Sequence, residues 1–213
     1  METENLEHLF AEKIDKAMTY VQYREYMGDL VENKASSGKN QDEDRIQYTV
    51  LNHHRMTRLD KTTEIPDTIA QSIAGFDKNI CWMVISESWC GDAAQILPVI
   101  NKMALLNKNI DLKIVLRDEN TALMQEFLTN GTMSIPKLIA FDKQTYQLFF
   151  SWGPRPQKAT HLVMELKEKY GAVTDEVKRE IQLWYNKDKG VSVMEELAEG
   201  LLSKCITAPE KYK

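Results

Sequence analysis

The sequence predicts an α/β fold in which a mixed sheet is flanked by helices, with helical N- and C-terminal extensions. Three observations support this prediction. Residues 79–86 form a short, near-continuous apolar run with polar flanks, which is typical of a strand buried on both faces. Helix and strand patterns then alternate over residues 91–129. Finally, residues 137–141 and 147–152 have the pattern of a hairpin pair.

The order of these elements also predicts how the strands pair. The strands at 79–86 and 111–117 enclose a helix at 91–106, so we expect them to be parallel and joined by a right-handed crossover. The two hairpin strands must be antiparallel, because a short connection reverses the chain. A sheet with both kinds of pairing follows.

The remaining regular segments are predicted to be helical. A polar stretch at 36–43 separates the first two of them, and whether 4–34 is one bent helix or two stays open. The predicted helical segments are 4–34, 44–60, a short helix after 63–67, 91–106, 119–129, 157–170, 174–188 and 191–204.

Charge and cysteine content limit the classes of function. A net charge of −5 argues against nucleic acid or an anionic membrane surface as the main partner. No stretch approaches the roughly 18 consecutive apolar residues of a membrane helix, and the first residues lack the pattern of a secretory signal. We therefore expect a cytoplasmic protein. The three cysteines, Cys81, Cys90 and Cys205, have no spacing that indicates a disulfide scaffold.

One short motif carries the chemistry of the sequence. Trp89, Cys90, Gly91, Asp92 and Ala93 stand where a buried strand leads into a helix N-terminus. Unpaired backbone N–H groups and the helix dipole at such a point stabilise an anion. A thiol there can have its pKa lowered, and the thiolate is the reactive form. We therefore predict that Cys90 is an accessible, activated nucleophile.

The motif resembles that of the thioredoxin family, Trp-Cys-Gly-Pro-Cys, which occupies the same strand-to-helix junction. Three further features agree: Pro98 eight residues after the cysteine, residues 134–141 as a cis-proline segment leading into a strand, and Gly153 after the second hairpin strand. The resemblance covers about residues 65–171. It implies a thioredoxin-like domain over 63–171, with helical extensions at 1–62 and 172–213.

The resemblance also implies roles for individual residues. Cys90 would be the catalytic thiol, and a cis bond before Pro136 would place the Ile135 backbone beside it, where an extended peptide could pair. The implied substrate-binding residues are Trp89, Gly91, Ile135, Pro136 and Gly153.

Three departures from the family pattern bear on the chemistry. Ala93 replaces the second, resolving cysteine, Asp92 replaces proline, and Val84 stands where typical members carry a buried acid. The dithiol cycle cannot run within this motif, so a mixed disulfide on Cys90 needs a thiol from elsewhere. Asp92 is expected to modulate the pKa of Cys90: its charge disfavours a thiolate, whereas an acid in the first turn stabilises the helix. The net sign stays open.

Neither of the other cysteines is an evident resolving thiol. Cys81 lies near the start of the strand, roughly 20 Å from the motif at about 3.3 Å per residue, whereas a disulfide needs Cα atoms within about 7 Å. Cys205 belongs to the C-terminal extension, whose docking the sequence does not reveal. The aromatic pair Trp184 and Tyr185 in that extension is interpreted as packing surface.

These residues favour a monothiol thioredoxin-like protein that exchanges Cys90 with a protein or low-molecular-weight disulfide and is regenerated by an external thiol. The alternative is a redox-inactive binding module that uses the cis-proline groove. A monothiol glutaredoxin-like iron–sulfur or glutathione site is a third reading, from whose Cys-Gly-Phe-Ser motif Asp92 and Ala93 depart. We expect no cofactor and no metal, and the helical extensions offer a surface for a homodimer.

Overall fold

The computed structural model describes residues 2–203. Nine α-helices and four strands form the regular structure of these residues, as the sequence predicts for an α/β fold. The strands are β1 (Ile80–Ser86), β2 (Ile110–Leu116), β3 (Lys137–Asp142) and β4 (Leu148–Trp152). The helices are α1 (Glu2–Ile14), α2 (Tyr20–Glu32), α3 (Glu43–Thr62), α4 (Asp67–Ala74), α5 (Gly91–Ala104), α6 (Thr121–Glu126), α7 (Gln157–Tyr170), α8 (Asp175–Asp188) and α9 (Val191–Ser203).

The four strands form one mixed sheet in the order β2-β1-β3-β4. β1 and β2 are parallel, whereas β3 is antiparallel to both β1 and β4. All seven residues of β1 are buried, which explains its apolar run from Ile80 to Ile85. The predicted mixed sheet with flanking helices is confirmed. Among the described residues, no helix is both long enough and apolar enough to cross a bilayer.

The N-terminal segment 4–34 consists of two helices rather than one bent helix. α2 begins with a capping box, in which the Thr19 hydroxyl accepts from the Gln22 N–H and the Gln22 side chain accepts from the Thr19 N–H. Just before the cap, Met18 exchanges backbone hydrogen bonds with Ile114 of β2. The break between the helices therefore pairs with the outer edge of β2 at Ile114.

The helix predicted over 119–129 is wrong in its extent. The structure has a 3₁₀ turn at Arg117–Glu119, and α6 ends at Glu126. Thr129 and Thr132 then pair across a tight turn whose central residues, Asn130 and Gly131, have φ values of 50° and 72°. Asn and Gly tolerate this left-handed conformation, which a helix cannot continue through.

The C-terminal helices pack against the helix that follows β1. α9 packs on α4 and α5, and the Gln182 side chain of α8 accepts a hydrogen bond of 2.8 Å from Gln95 of α5. Glu196 of α9 accepts from the Trp152 indole N–H at 2.7 Å. From the other side, α3 also packs on α5. Helices from both extensions thus contact α5.

Candidate active site

The site is built where β1 leads into α5. Cys90 is the N-cap of α5, and its Sγ accepts a hydrogen bond from the Ala93 N–H at 3.5 Å. The sulfur therefore satisfies one of the free N–H groups of the first helical turn. The Cys90 thiol in turn donates to the Ile135 carbonyl at 3.3 Å. The bond between Ile135 and Pro136 is cis.

The thiol of Cys90 is buried rather than accessible. The residue is only 7% exposed. Burial raises the pKa of Cys90 to about 12, and the negative charge of Asp92 is the second largest cause of the rise. The backbone N–H groups of Ala93 and Asp92 and the positive charge of Arg155 lower the pKa and offset part of the rise. The expectation of an accessible thiol with a lowered pKa is wrong for this conformation. The loss of hydration on burial outweighs the stabilisation of the thiolate by the helix N-terminus, because burying a charged sulfur away from water is costly.

Asp92 is held by two residues from distant segments. Its carboxylate forms an ion pair with Arg155 and accepts a hydrogen bond of 2.9 Å from the Tyr185 hydroxyl. The Asp92 side chain is only 11% exposed, so the pair is largely shielded from solvent. The effect of Asp92 on Cys90, left open by the sequence, is to raise the pKa of the thiol.

Gly153 lies against the cis-proline segment. Its φ of +109° is a conformation that side-chain-bearing residues rarely adopt, and a Cβ added there would overlap the carbonyl oxygen of Pro136. The backbone before the second cis bond, Gly153–Pro154, therefore passes so close to Pro136 that no side chain fits. Gly153 sets the position of the segment that contacts Cys90.

The indole ring of Trp89 contacts two cations. The guanidinium of Arg45 lies 4.5 Å from the ring centroid, and that of Arg117 lies 4.9 Å from it. Cation–π contacts of this kind stabilise both partners. They fix the ring beside Cys90.

A buried polar network anchors the residues just before Cys90. The Ser88 hydroxyl lies 2.7 Å from that of Thr49 and accepts from the Ser37 N–H at 2.9 Å. Asn52 is fully buried and donates to the Ser88 carbonyl at 2.9 Å. The motif is thus tied to α3 and to the loop before it.

Glu87 is a fully buried carboxyl within the same network. It accepts hydrogen bonds from the Ser37 hydroxyl and, at 2.9 Å, from the Asp118 N–H. Burial raises the pKa of Glu87, and these two hydrogen bonds offset part of the rise. A buried titratable group therefore lies three residues before the thiol, and it was not among the predicted site residues.

Arg55 of α3 extends the site on its open side. Its guanidinium donates to the Asn52 side-chain oxygen at 3.0 Å. It also lies beside Gly91, since a Cβ built on Gly91 would be 3.6 Å from Arg55 and 3.7 Å from Gln182. Gly91 thus brings the start of α5 into contact with side chains of both α3 and α8.

This geometry can be compared with known proteins. The sequence matches the profile of the family described as thioredoxin over residues 38–182, more than half of the chain. The chain belongs to the thioredoxin family. No curated protein matches the sequence.

Two solved structures share the thioredoxin-family architecture. A protein of unknown function from Pseudomonas aeruginosa has a TM-score of 0.56 and 13% identity, covering 89% of this chain and 99% of that one. An HIV epitope scaffold has a TM-score of 0.55 and 13% identity, covering 87% of this chain and 99% of the scaffold. At this identity, the likeness concerns the fold alone.

The cysteines differ from those of a dithiol thioredoxin. Ala93 occupies the first turn of α5, where it donates its N–H to Cys90. Cys81 is buried and pairs in register with Phe141, at the far end of β3 from Ile135. Cys205 lies outside the described residues. Within residues 2–203, no group of three or more His, Cys, Asp or Glu side chains is arranged to hold a metal ion.

The structure brings the predicted site residues of this thioredoxin-family protein together and adds others. Trp89, Gly91, Ile135, Pro136 and Gly153 all lie around Cys90. The sequence reasoning missed four charged or polar residues at the site, and it interpreted one of them, Tyr185, as packing only. Arg155 could have been noticed, because it follows Gly153 by two residues. The four are Arg55, Glu87, Arg155 and Tyr185.

Proposed function

We propose that this protein is a monothiol redox protein in which Cys90 exchanges with a protein or small-thiol disulfide and an external thiol completes the cycle. The observation that carries the proposal is the setting of Cys90 Sγ between the Ala93 N–H and the Ile135 carbonyl, next to Pro136. The Asp92–Arg155 ion pair beside it supports the same conclusion, because shielded charges near a titratable group are concentrated at functional sites.

The proposed exchange has two balanced steps. The Cys90 thiolate attacks one sulfur of a disulfide RSSR, so that the Cys90–SR bond forms, the S–S bond breaks, and RS⁻ leaves and takes up a proton. An external thiol R′SH, acting as its thiolate, then attacks the mixed disulfide. This step releases RSSR′ and restores Cys90 as a thiol. The protein undergoes no net oxidation.

We assign the second step to an external thiol because the described residues, which do not include Cys205, offer no partner for Cys90. Ala93 cannot form a disulfide, and Cys81 lies toward the opposite end of the sheet. The high pKa of Cys90 further implies that the protonated thiol dominates at neutral pH. We therefore expect the exchange to be slow near pH 7 and to accelerate about tenfold per pH unit.

Replacing Cys90 with serine is expected to abolish the acceleration of glutathione-dependent reduction of hydroxyethyl disulfide. Serine keeps the N-cap but removes the nucleophile. Initial rates are measured at about pH 8 and pH 9, after subtraction of the uncatalysed rate. Cys81→Ser is the matched control and should keep the wild-type rate, because Cys81 is remote from the site. A Cys90→Ser variant with full activity would contradict the proposal.

A second candidate function is a redox-inactive interaction module. The burial of Cys90 and its raised pKa favour this reading, because both suppress the thiolate. It predicts no turnover by the wild-type protein. It also predicts that any protein partner retained by the wild type is retained equally by Cys90→Ser, whereas the redox function predicts a covalent complex that dithiothreitol releases.

A further inference from the structure

A cavity of about 670 Å³ opens beside the start of α5, between α3 and α8. Its volume lies in the range typical of small-molecule sites. Trp89, Gly91 and Asp92 of the motif form part of its wall, but the residues opposite them come from the two helices outside the sheet. The cavity is thus adjacent to Cys90 and accessible from solvent, unlike the thiol itself.

Most charges around this cavity are paired with one another. Arg45 lies 3.8 Å from Asp42, and Lys178 lies 2.9 Å from Asp175. Arg155 pairs with Asp92 as described above. Arg179, also in the wall, lies 4.0 Å from Glu176, which does not line the cavity. Asp44, in the first turn of α3, is the remaining carboxylate in the wall.

Arg55 is the exception among these cations. No carboxylate of the described residues lies within ion-pair distance of its guanidinium, whose hydrogen bond goes to the neutral Asn52 side chain. Asp44 precedes Arg55 by eleven positions on the same helix, a separation of about 16 Å along the axis. Half-buried, uncompensated cations are costly, so an anion in the cavity would stabilise Arg55. Asn52, itself fully buried, holds the guanidinium in place.

The same cavity has an apolar side. Leu51 of α3 and Val173 before α8 both line it, and they are 43% and 46% exposed. Tyr48 and Ile181 add further apolar surface. A ligand that covered these side chains would gain hydrophobic stabilisation of about 25 cal/mol per Å² buried.

We propose that this cavity binds a small molecule with a carboxylate or phosphate group on Arg55 and an apolar body against Leu51 and Val173. Carboxylate and phosphate share the chemistry that a guanidinium recognises, with two parallel N–H donors facing two oxygens. This binding is a property of the cavity and holds whether or not Cys90 reacts.

Isothermal titration calorimetry with matched probes tests this inference. The probes are 4-phenylbutyrate, phenyl phosphate and the neutral 4-phenylbutyramide. We expect at least one anionic probe to bind about tenfold or more tightly than the amide, because a charge-assisted hydrogen bond is lost in the amide. The preferred anion identifies the head group. No binding by either anion, or equal binding of the amide, would overturn the inference.

Variants assign the anion to Arg55. Arg55→Gln should weaken the better anionic probe about tenfold or more and leave the amide unchanged. Arg58→Gln is the matched control, because Arg58 lies one turn further along α3 and contacts Asn186 instead. Equal weakening by both variants would contradict the assignment. Cys90→Ser should bind the probes like the wild type, so loss of redox activity and loss of binding are separate outcomes.

Discussion

Replacing Gly153 with alanine is expected to lower the free energy of unfolding by about 3 kcal/mol. Two effects add here: a φ of +109° is strained for alanine, and the new Cβ would overlap the Pro136 carbonyl oxygen. The neighbouring atoms are backbone, so a side-chain rotation cannot relieve the overlap. Urea unfolding followed by circular dichroism measures the change by linear extrapolation.

Gly171→Ala separates the two effects. Gly171 also has a positive φ, +73°, but nothing lies within 4 Å of a Cβ built there. We expect this variant to lose only about 1 kcal/mol, the cost of a left-handed conformation. If Gly153→Ala lost no more than Gly171→Ala, the close approach of Gly153 to the cis-proline segment would be refuted.

Replacing Asp92 with asparagine is expected to accelerate alkylation of Cys90 by iodoacetamide about tenfold or more near pH 8. The negative charge of Asp92 is the second largest cause of the raised pKa of the thiol, after burial. Its removal leaves the positive charge of Arg155 uncompensated, which favours the thiolate further. At a fixed pH below the pKa of the thiol, a lower pKa gives a larger thiolate fraction. Each pKa unit changes this fraction about tenfold.

Arg155→Gln is the opposing control for Asp92→Asn. It removes the cation that lowers the pKa of Cys90 while leaving Asp92 charged. We expect alkylation to be slower in Arg155→Gln than in the wild type. A native far-ultraviolet circular dichroism spectrum of Asp92→Asn would exclude unfolding as the cause of its faster alkylation. Rates measured between about pH 7 and pH 10 give the sign for each variant. Slower or unchanged alkylation in Asp92→Asn would contradict the electrostatic role of Asp92.

The sheet could be predicted from the sequence because its signals are local. Residues 80–85 are apolar throughout, which predicts a strand buried on both faces. The helix between β1 and β2 then required parallel pairing by the crossover rule. The helix predicted over 119–129 ends before the turn residues Asn130 and Gly131, whereas α6 ends at Glu126, ahead of the pairing of Thr129 with Thr132, which no local pattern reveals.

The position of Cys90 could also be predicted, but its environment could not. The motif and the strand-to-helix junction locate the sulfur at the N-cap of α5. Its burial and its neighbours depend on how distant segments dock: Tyr185 is 93 positions from Asp92 in the chain. Amphipathic helices such as α8 reveal which face is apolar but not which surface that face covers. The raised pKa follows from this packing.

The most direct test of the proposed function is the trapping of a mixed disulfide on Cys90. The native protein is incubated with glutathione disulfide at about pH 8.5, quenched with acid and examined by intact-mass spectrometry and peptide mapping. We predict one glutathione per chain at Cys90 that dithiothreitol removes, and no adduct at that position in Cys90→Ser. If Cys90 stayed unmodified in the native protein while it was modified in urea, the redox function would be contradicted and the interaction module favoured.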